Sequence, residues 1–221
     1  DHRDLHLSIR RQRQMCIRDR NRTVKRSDKA EKIGIILDRL YPKPPIPLEH
    51  DSAYTLLVAV MLSAQTTDKM VNKVTPALFK KANTPELMAN LDVNTIKNLI
   101  QKIGLAPTKA KNLKKMAQQL IAGGGVRSDW KYLESLAGVG HKTASVVMSQ
   151  WYGIPAFPVD THIHRLASRW GLSKAKNDDM TEKDLKKICP KEVWNKRHLQ
   201  IIFFGREYCP AQNHNLGKCL I

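Results

Sequence analysis

Residues Leu136–Arg165 read LAGVGHKTASVVMSQWYGIPAFPVDTHIHR, a compact stretch that holds a glycine turn, a lysine and an aspartate. Leu136-Ala137-Gly138-Val139-Gly140-His141-Lys142 predicts a tight turn, because glycine reaches backbone angles that other residues resist. A helix is predicted to follow, from about Lys142 to Trp151. Such a helix start presents unpaired N–H groups and the positive end of the helix dipole, which together suit a phosphate or another anion. Lys142 is unusual there: the dipole disfavours its charge, and partial burial would lower its pKa in the same direction. That combination suits a nucleophilic amine, and a phosphate-binding lysine is the other reading. Asp160 follows Pro158-Val159 at the mouth of the next helix, where an aspartate commonly serves as N-cap. His162 and His164, two residues apart, do not face one another on a helix, which argues against a metal pair.

Outward from this stretch the chain reads as helix after helix. Towards the N-terminus, Ile33, Ile36, Leu37 and Leu40 recur at helical spacing until Tyr41-Pro42-Lys43-Pro44-Pro45 stops the element. Asp51-Ser52 offers N-caps for a long apolar helix through Leu56, Leu57, Val60, Met61 and Leu62, expected to be buried on most sides. Ser63–Asp68 is a polar break, with Asp68 the expected N-cap of the next helix. Thr84-Pro85-Glu86 is a strong helix start. A short helix is predicted over about 93–103, then a turn at Ile103–Thr108. The helix beyond that turn carries Lys109, Lys111, Lys114 and Lys115, either a solvated face or a phosphate track. Gly123-Gly124-Gly125 ends it, and Ser128-Asp129 caps the helix leading into the central turn. No segment shows sustained two-residue alternation, so the fold class is all-α.

Composition bounds the function. A chain of 221 residues with 42% hydrophobic content can build one large domain or two small ones. No apolar run is long enough to span a membrane. The net charge of +18 points to a polyanionic partner, nucleic acid ahead of a membrane surface. The first twenty residues, DHRDLHLSIRRQRQMCIRDR, carry six Arg against three Asp without helical periodicity. MCIRDR, 15–20, resembles the translation of a transposon-derived sequencing adapter, so residues 1–20 are expected to be foreign, a native basic tail that grips DNA being the other reading. Without them the net charge is +15, and the nucleic-acid reading survives.

The pattern L-x-G-V-G-x-K-T-A, followed by V-D-T-H with Asp160 eighteen residues after Lys142, resembles the helix-hairpin-helix and aspartate of the endonuclease III DNA glycosylases. The likeness extends through LLVAVMLSAQTTD, KIGLAPTKA and HLQIIFFGREYC. It implies a helical barrel over 46–154, a second helical domain made of 21–45 and 155–221, and an active site in the cleft between them. It implies a bacterial, cytoplasmic, nucleoid-associated monomer that excises oxidised pyrimidines from duplex DNA and then cuts the strand, in base excision repair. In that reading Lys142 is the nucleophile and Asp160 the electrostatic and proton-transfer partner. Gly138, Val139, Gly140, Lys142 and Thr143 contact the backbone. Gln65 fills the hole left by an extruded base, and Leu105 is a wedge in the duplex, although by residue type alone it is equally a small core anchor. His162 packs behind the site, and Arg165 makes an ion pair or a phosphate contact. Two alternatives stand beside it: a non-catalytic helix-hairpin-helix module that binds DNA, and an adenine mismatch glycosylase, which Lys142 disfavours.

The family also implies a [4Fe-4S] cluster on four cysteines spaced C-x6-C-x2-C-x5-C, and thiolates are the ligands such clusters need. Here the region holds only Cys209 and Cys219, a partial ligand set, with Cys189 outside the pattern. The chain stops at Ile221, one residue short of the next C-x2-C position, so the expectation is truncation or an altered cluster.

Overall fold

The computed structural model describes residues 25–212, 214, 219 and 221. The segment expected to be foreign, 1–20, lies outside them. Among the described residues there are eleven α-helices, one 3-10 turn and no strand. They are α1 (Arg26–Leu40), α2 (Ala53–Ser63), α3 (Asp68–Ala82), α4 (Pro85–Asn90), α5 (Val93–Leu99), α6 (Ala106–Ala122), α7 (Trp130–Ser135), α8 (His141–Gln150), α9 (Thr161–Arg169), α10 (Asp178–Ile188) and α11 (Trp194–Glu207), with the 3-10 turn Lys191–Val193 before α11. None is long and apolar enough to cross a membrane.

The caps follow the residues. Ser52 accepts from the amide of Thr55 while the Thr55 side chain returns a bond to the Ser52 amide, a reciprocal capping box. Thr84 caps α4 ahead of Pro85, and Asp129 caps α7. For α3 the expected cap is displaced by one residue: Thr67 accepts from Met70, and Asp68 inside the first turn pairs instead with Arg206 of α11 at 2.5 Å.

The buried side chains form two clusters. The first runs from Leu48 to Met148 and is built around α2, in which Tyr54 to Leu62 are buried without a break. Leu78, Met88, Ile96, Leu113 and Met116 close on it from α3 to α6. The second joins the two ends of the chain: Leu37 of α1 with Phe157, Ile163, Leu166 and Phe204. Polar ties reinforce it, since Arg197 donates to the Gly34 carbonyl at 2.8 Å and Gln200 donates to Asp38 and to the Tyr41 carbonyl. Asn195 bridges the clusters, accepting from the Ala156 amide at 3.0 Å and donating to the Ser149 carbonyl at 3.1 Å. The extended link 154–160 therefore carries the chain from one core to the other with its exit angle held.

Candidate active site

The helices α7 and α8 form a hairpin closed by the turn 136–140. Gly138 has φ of +78°, and a Cβ there would lie 2.9 Å from Met61 Sδ and 3.0 Å from Asn112 Nδ2, so only glycine lets the turn seat on α2 and α6. Gly140 corrects the sequence reading. Its φ of −99° is open to any residue, and a Cβ there would meet nothing within 4 Å. Its contribution is clear space in front of a helix start that no side chain caps. The first-turn amides, at His141, Lys142 and Thr143, have no partner within the helix. Val139 is a second correction: its side chain is buried in the first core and its amide is spent on the Leu136 carbonyl at 3.1 Å, so neither is free for a ligand.

Lys142 lies in the first turn of α8 and is exposed, so the expected partial burial is absent. Thr143, half-buried, follows it. Asp160 caps α9, its Oδ1 accepting from the Ile163 amide at 2.8 Å, which leaves Oδ2 for another task. What joins Lys142 to Asp160 is a residue the sequence reading passed over. His198 of α11 is 3% exposed. Burial pushes its pKa down to about 4, with Asp160 raising it and Lys142 lowering it by smaller amounts. An amine from the first core and a carboxylate from the second thus act on one neutral imidazole. Its Nδ1 faces the Gln150 amide nitrogen at 3.4 Å.

This has a consequence for acid stability. The unfolded chain takes up the His198 proton below the ordinary value of 6.5, and the folded protein only below about 4. Stability should therefore fall by about 3 kcal/mol as pH drops through that window, and be untouched by this group above it. Urea unfolding across the window should show a correspondingly shallower slope for His198→Gln. Equal slopes in the two proteins would contradict the assignment.

The neighbouring His141 ties the hairpin to the second core. Its Nδ1 meets Glu134 at 2.7 Å and its Nε2 meets Glu182 of α10 at 3.4 Å. Burial opposes its charge, but the hydrogen bond to Glu134 and the charge of Glu182 outweigh it and hold its pKa above the usual imidazole range.

Gln65 and Leu105 are the two described non-glycine residues with positive φ, +57° and +61°. Such a conformation costs on the order of 1–3 kcal/mol and persists only where its surroundings enforce it. Leu105 is 58% exposed, which removes the core-anchor reading and forgoes about 1.5–3 kcal/mol that burial of a leucine would yield. The two turns are neighbours, since a Cβ on Gly104 would lie 3.5 Å from the Gln65 carbonyl. Lys109 links them from beneath. It is 5% exposed, and its Nζ donates to the carbonyls of Leu62 at 2.8 Å and Ala64 at 2.6 Å, closing the C-terminal end of α2. It is therefore neither a solvated lysine nor part of a phosphate track, and burial lowers its pKa. Lys114 is likewise tied to the Leu91 carbonyl, whereas Lys111 and Lys115 are exposed.

Arg165 corrects the expectation of an ion pair or a phosphate contact. Its Nη2 lies 3.2 Å from His162 Nδ1 and donates to the carbonyls of Gly205 and Cys209 at 3.2 and 3.0 Å, fastening α9 to the end of α11. His162, held as that acceptor and depressed in pKa by burial, is a packing residue.

Residues 58–191 match the HhH-GPD superfamily of base excision DNA repair proteins. The endonuclease III of Bacillus subtilis strain 168 is 40% identical over 195 residues, 86% of this chain and 89% of that protein. The chain belongs to the endonuclease III family. The Escherichia coli K12 endonuclease III is also 40% identical, over 88% of this chain and 94% of its own length. Among solved structures, a non-covalent endonuclease III–DNA complex superposes with a TM-score of 0.85 at 38% identity, covering 88% of this chain and 92% of that one. A trapped endonuclease III–DNA covalent intermediate superposes with a TM-score of 0.84 over the same shares.

The donors present are a partial set for the cluster implied for the endonuclease III family. Cys209, His214 and Cys219 converge, with one ligand atom from each within 4.8 Å of the others. Cys209 and Cys219 supply two of the four thiolates a [4Fe-4S] cluster takes.

Proposed function

We propose that Lys142 is the nucleophile and Asp160 its acidic partner in the excision of oxidised or ring-fragmented pyrimidines from duplex DNA. The chain is a bifunctional DNA glycosylase and abasic-site lyase of base excision repair. The observation that supports the residue assignment is an exposed Lys142 in the first turn of a helix whose start no side chain caps, with Asp160 heading the next helix on one carboxylate oxygen and keeping the other. The neutral Lys142 amine attacks the sugar C1′, the glycosidic bond breaks, and the base leaves with the bonding pair and collects a proton. The Asp160 carboxylate offsets the cationic sugar at that moment and then assists proton transfer around the amine. The C1′–O4′ bond of the resulting aminal then opens, O4′ taking a proton to become the C4′ hydroxyl, and the nitrogen lone pair closes the imine to C1′. Removal of a C2′ proton expels the 3′ phosphate and cuts the strand.

The remaining residues prepare the DNA. The target base must leave the stack, and Gln65 and Leu105, presented on adjoining strained turns, fill the gap and wedge the duplex. The amides of α8 take a backbone phosphate, which the helix dipole favours. Residues 46–154 act as the barrel, 21–45 and 155–221 as the second domain, with the reaction in the cleft between them. The two separate cores support that division. The protein acts as a monomer on the nucleoid of a bacterial cytoplasm. An iron–sulfur cluster enters no step.

The test is incision of a duplex carrying thymine glycol. Release of the base together with a nick 3′ to the lesion is expected. Tight binding with neither product would favour a non-catalytic DNA-binding module instead.

A further inference from the structure

His141 and His164 enter no step of the reaction, yet they close a path between the two residues that do. His141 immediately precedes Lys142 in the first turn of α8. Its ring stacks on Trp130 of α7, centroids 5.8 Å apart and planes within 23°, with one nitrogen 2.7 Å from Glu134 of the same hairpin and the other 3.4 Å from Glu182 of α10. The Glu182 side chain is only 9% exposed, and Lys186 is its second partner. Thr181, next to Glu182, donates its hydroxyl to the Asn177 carbonyl at 2.9 Å and so accepts from His164 Nδ1 at 2.8 Å. The His164 amide in turn donates to the Asp160 carbonyl at 2.8 Å. The path from Lys142 to Asp160 thus runs through His141, Glu182, Thr181 and His164, and it crosses from the first core to the second at the contact of His141 with Glu182.

We propose that His141 is a positioning residue, whose imidazolium clasps Glu134 and Glu182 at once and so sets Lys142 against Asp160 in a pH-dependent way. The proposal rests on the assignment of Lys142 and Asp160 to the reaction. Only the charged ring carries an N–H on each nitrogen. On deprotonation the shorter contact, to Glu134, keeps the remaining N–H on Nδ1, and Nε2 turns a lone pair towards the Glu182 carboxylate. His141 is itself half-exposed, so solvent tempers the attraction. The larger change is at the enclosed Glu182, where attraction gives way to repulsion and α10, with α9 fastened to it, draws back from the hairpin. The charged groups facing the ring are Glu134 of α7 and Glu182 of α10, with Lys186 behind Glu182, and Asp178 stands 3.7 Å from His164. Burial opposes the charge on His141, but the hydrogen bond to Glu134 and the charge of Glu182 outweigh it and raise its pKa above 6.5. The clasp is therefore complete below that ordinary value and is lost as pH rises through the raised one.

The experiment follows single-turnover release of thymine glycol from duplex by the whole chain between about pH 6 and 9. His141→Arg keeps donors on two sides and a permanent charge, so its rate relative to wild type should rise by about tenfold across that range as wild type opens the clasp. His141→Gln should be about tenfold slower than wild type near the acid end and approach it near the alkaline end, with duplex affinity unchanged, because the α8 amides stay in place. Glu182→Gln should show the same acid-end loss and should lower the midpoint of the His141 ring titration read by NMR. It decides the matter if His141→Gln folds poorly by circular dichroism. Equal pH profiles for wild type and His141→Arg, a wild-type rate for His141→Gln or Glu182→Gln at the acid end, or an unmoved midpoint in Glu182→Gln would overturn the clasp and leave the catalytic assignment standing. That assignment is tested separately: a Lys142→Gln protein that still cross-links under borohydride removes the premise on which the clasp rests.

Discussion

Lys142→Gln ends covalent trapping by borohydride while leaving duplex binding within about tenfold of wild type. The imine between the Lys142 amine and the sugar C1′ carries the only bond that borohydride can convert into a permanent protein–DNA cross-link. Glutamine is nearly as long and has no nucleophilic amine, so the bond cannot form. Binding survives because its main source, the open amides of α8, is backbone that the substitution leaves in place. Packing is not disturbed either, since Lys142 is exposed and makes no contact that holds the hairpin. Gel analysis after reduction, on a duplex with a preformed abasic site, reads the cross-link directly. A Lys142→Gln protein that cross-links as well as wild type would move the nucleophile to another amine. The buried Lys109 is not that amine, because both its carbonyl partners hold it beneath the turns.

The elements were legible in the sequence wherever a local rule decides them. Ser52, Thr84, Asp129 and Asp160 each cap the helix that follows, and prolines after Tyr41 end α1. The unbroken apolar run of α2 reads directly as burial. What the sequence hid depends on tertiary neighbours. Lys109 looks like any lysine of a basic helix, yet two carbonyls at the end of α2 draw it inside. Arg165 looks like a phosphate ligand, and only the return of α11 shows which acceptors take its donors. Gly138 and Gly140 look equivalent, but the demand for glycine comes from Met61 and Asn112, which only Gly138 faces. Leu105 reads by residue type as wedge or core anchor alike, and only its exposure in the fold removes the core reading. His198 and His214 carried no spacing signal at all. Each acquires its meaning from groups brought alongside it, Asp160 and Lys142 for one and two cysteines for the other.

Asp160→Asn should slow base release by about 10²- to 10⁴-fold while costing little stability, and the contrast separates the two tasks of one side chain. As an N-cap, Asp160 needs an oxygen to receive the Ile163 amide, at 2.8 Å in this structure. Asparagine supplies one and ranks beside aspartate at that position, whereas alanine forfeits about 0.5–2 kcal/mol. As a partner in the reaction, Asp160 needs its negative charge, which offsets the cationic sugar while the glycosidic bond breaks, and asparagine has none. Asp160→Asn should therefore keep the Tm of wild type and lose most of its turnover, and Asp160→Ala should lose both. Trapping on a preformed abasic site should persist, more slowly, in Asp160→Asn, because its sugar already exposes an aldehyde and the Lys142 amine is intact. Single-turnover release of thymine glycol, read beside thermal unfolding, distinguishes the cases. If Asp160→Asn releases the base at the wild-type rate, the aspartate is only a cap, and the charge that stabilises the departing base has to come from elsewhere in the cleft.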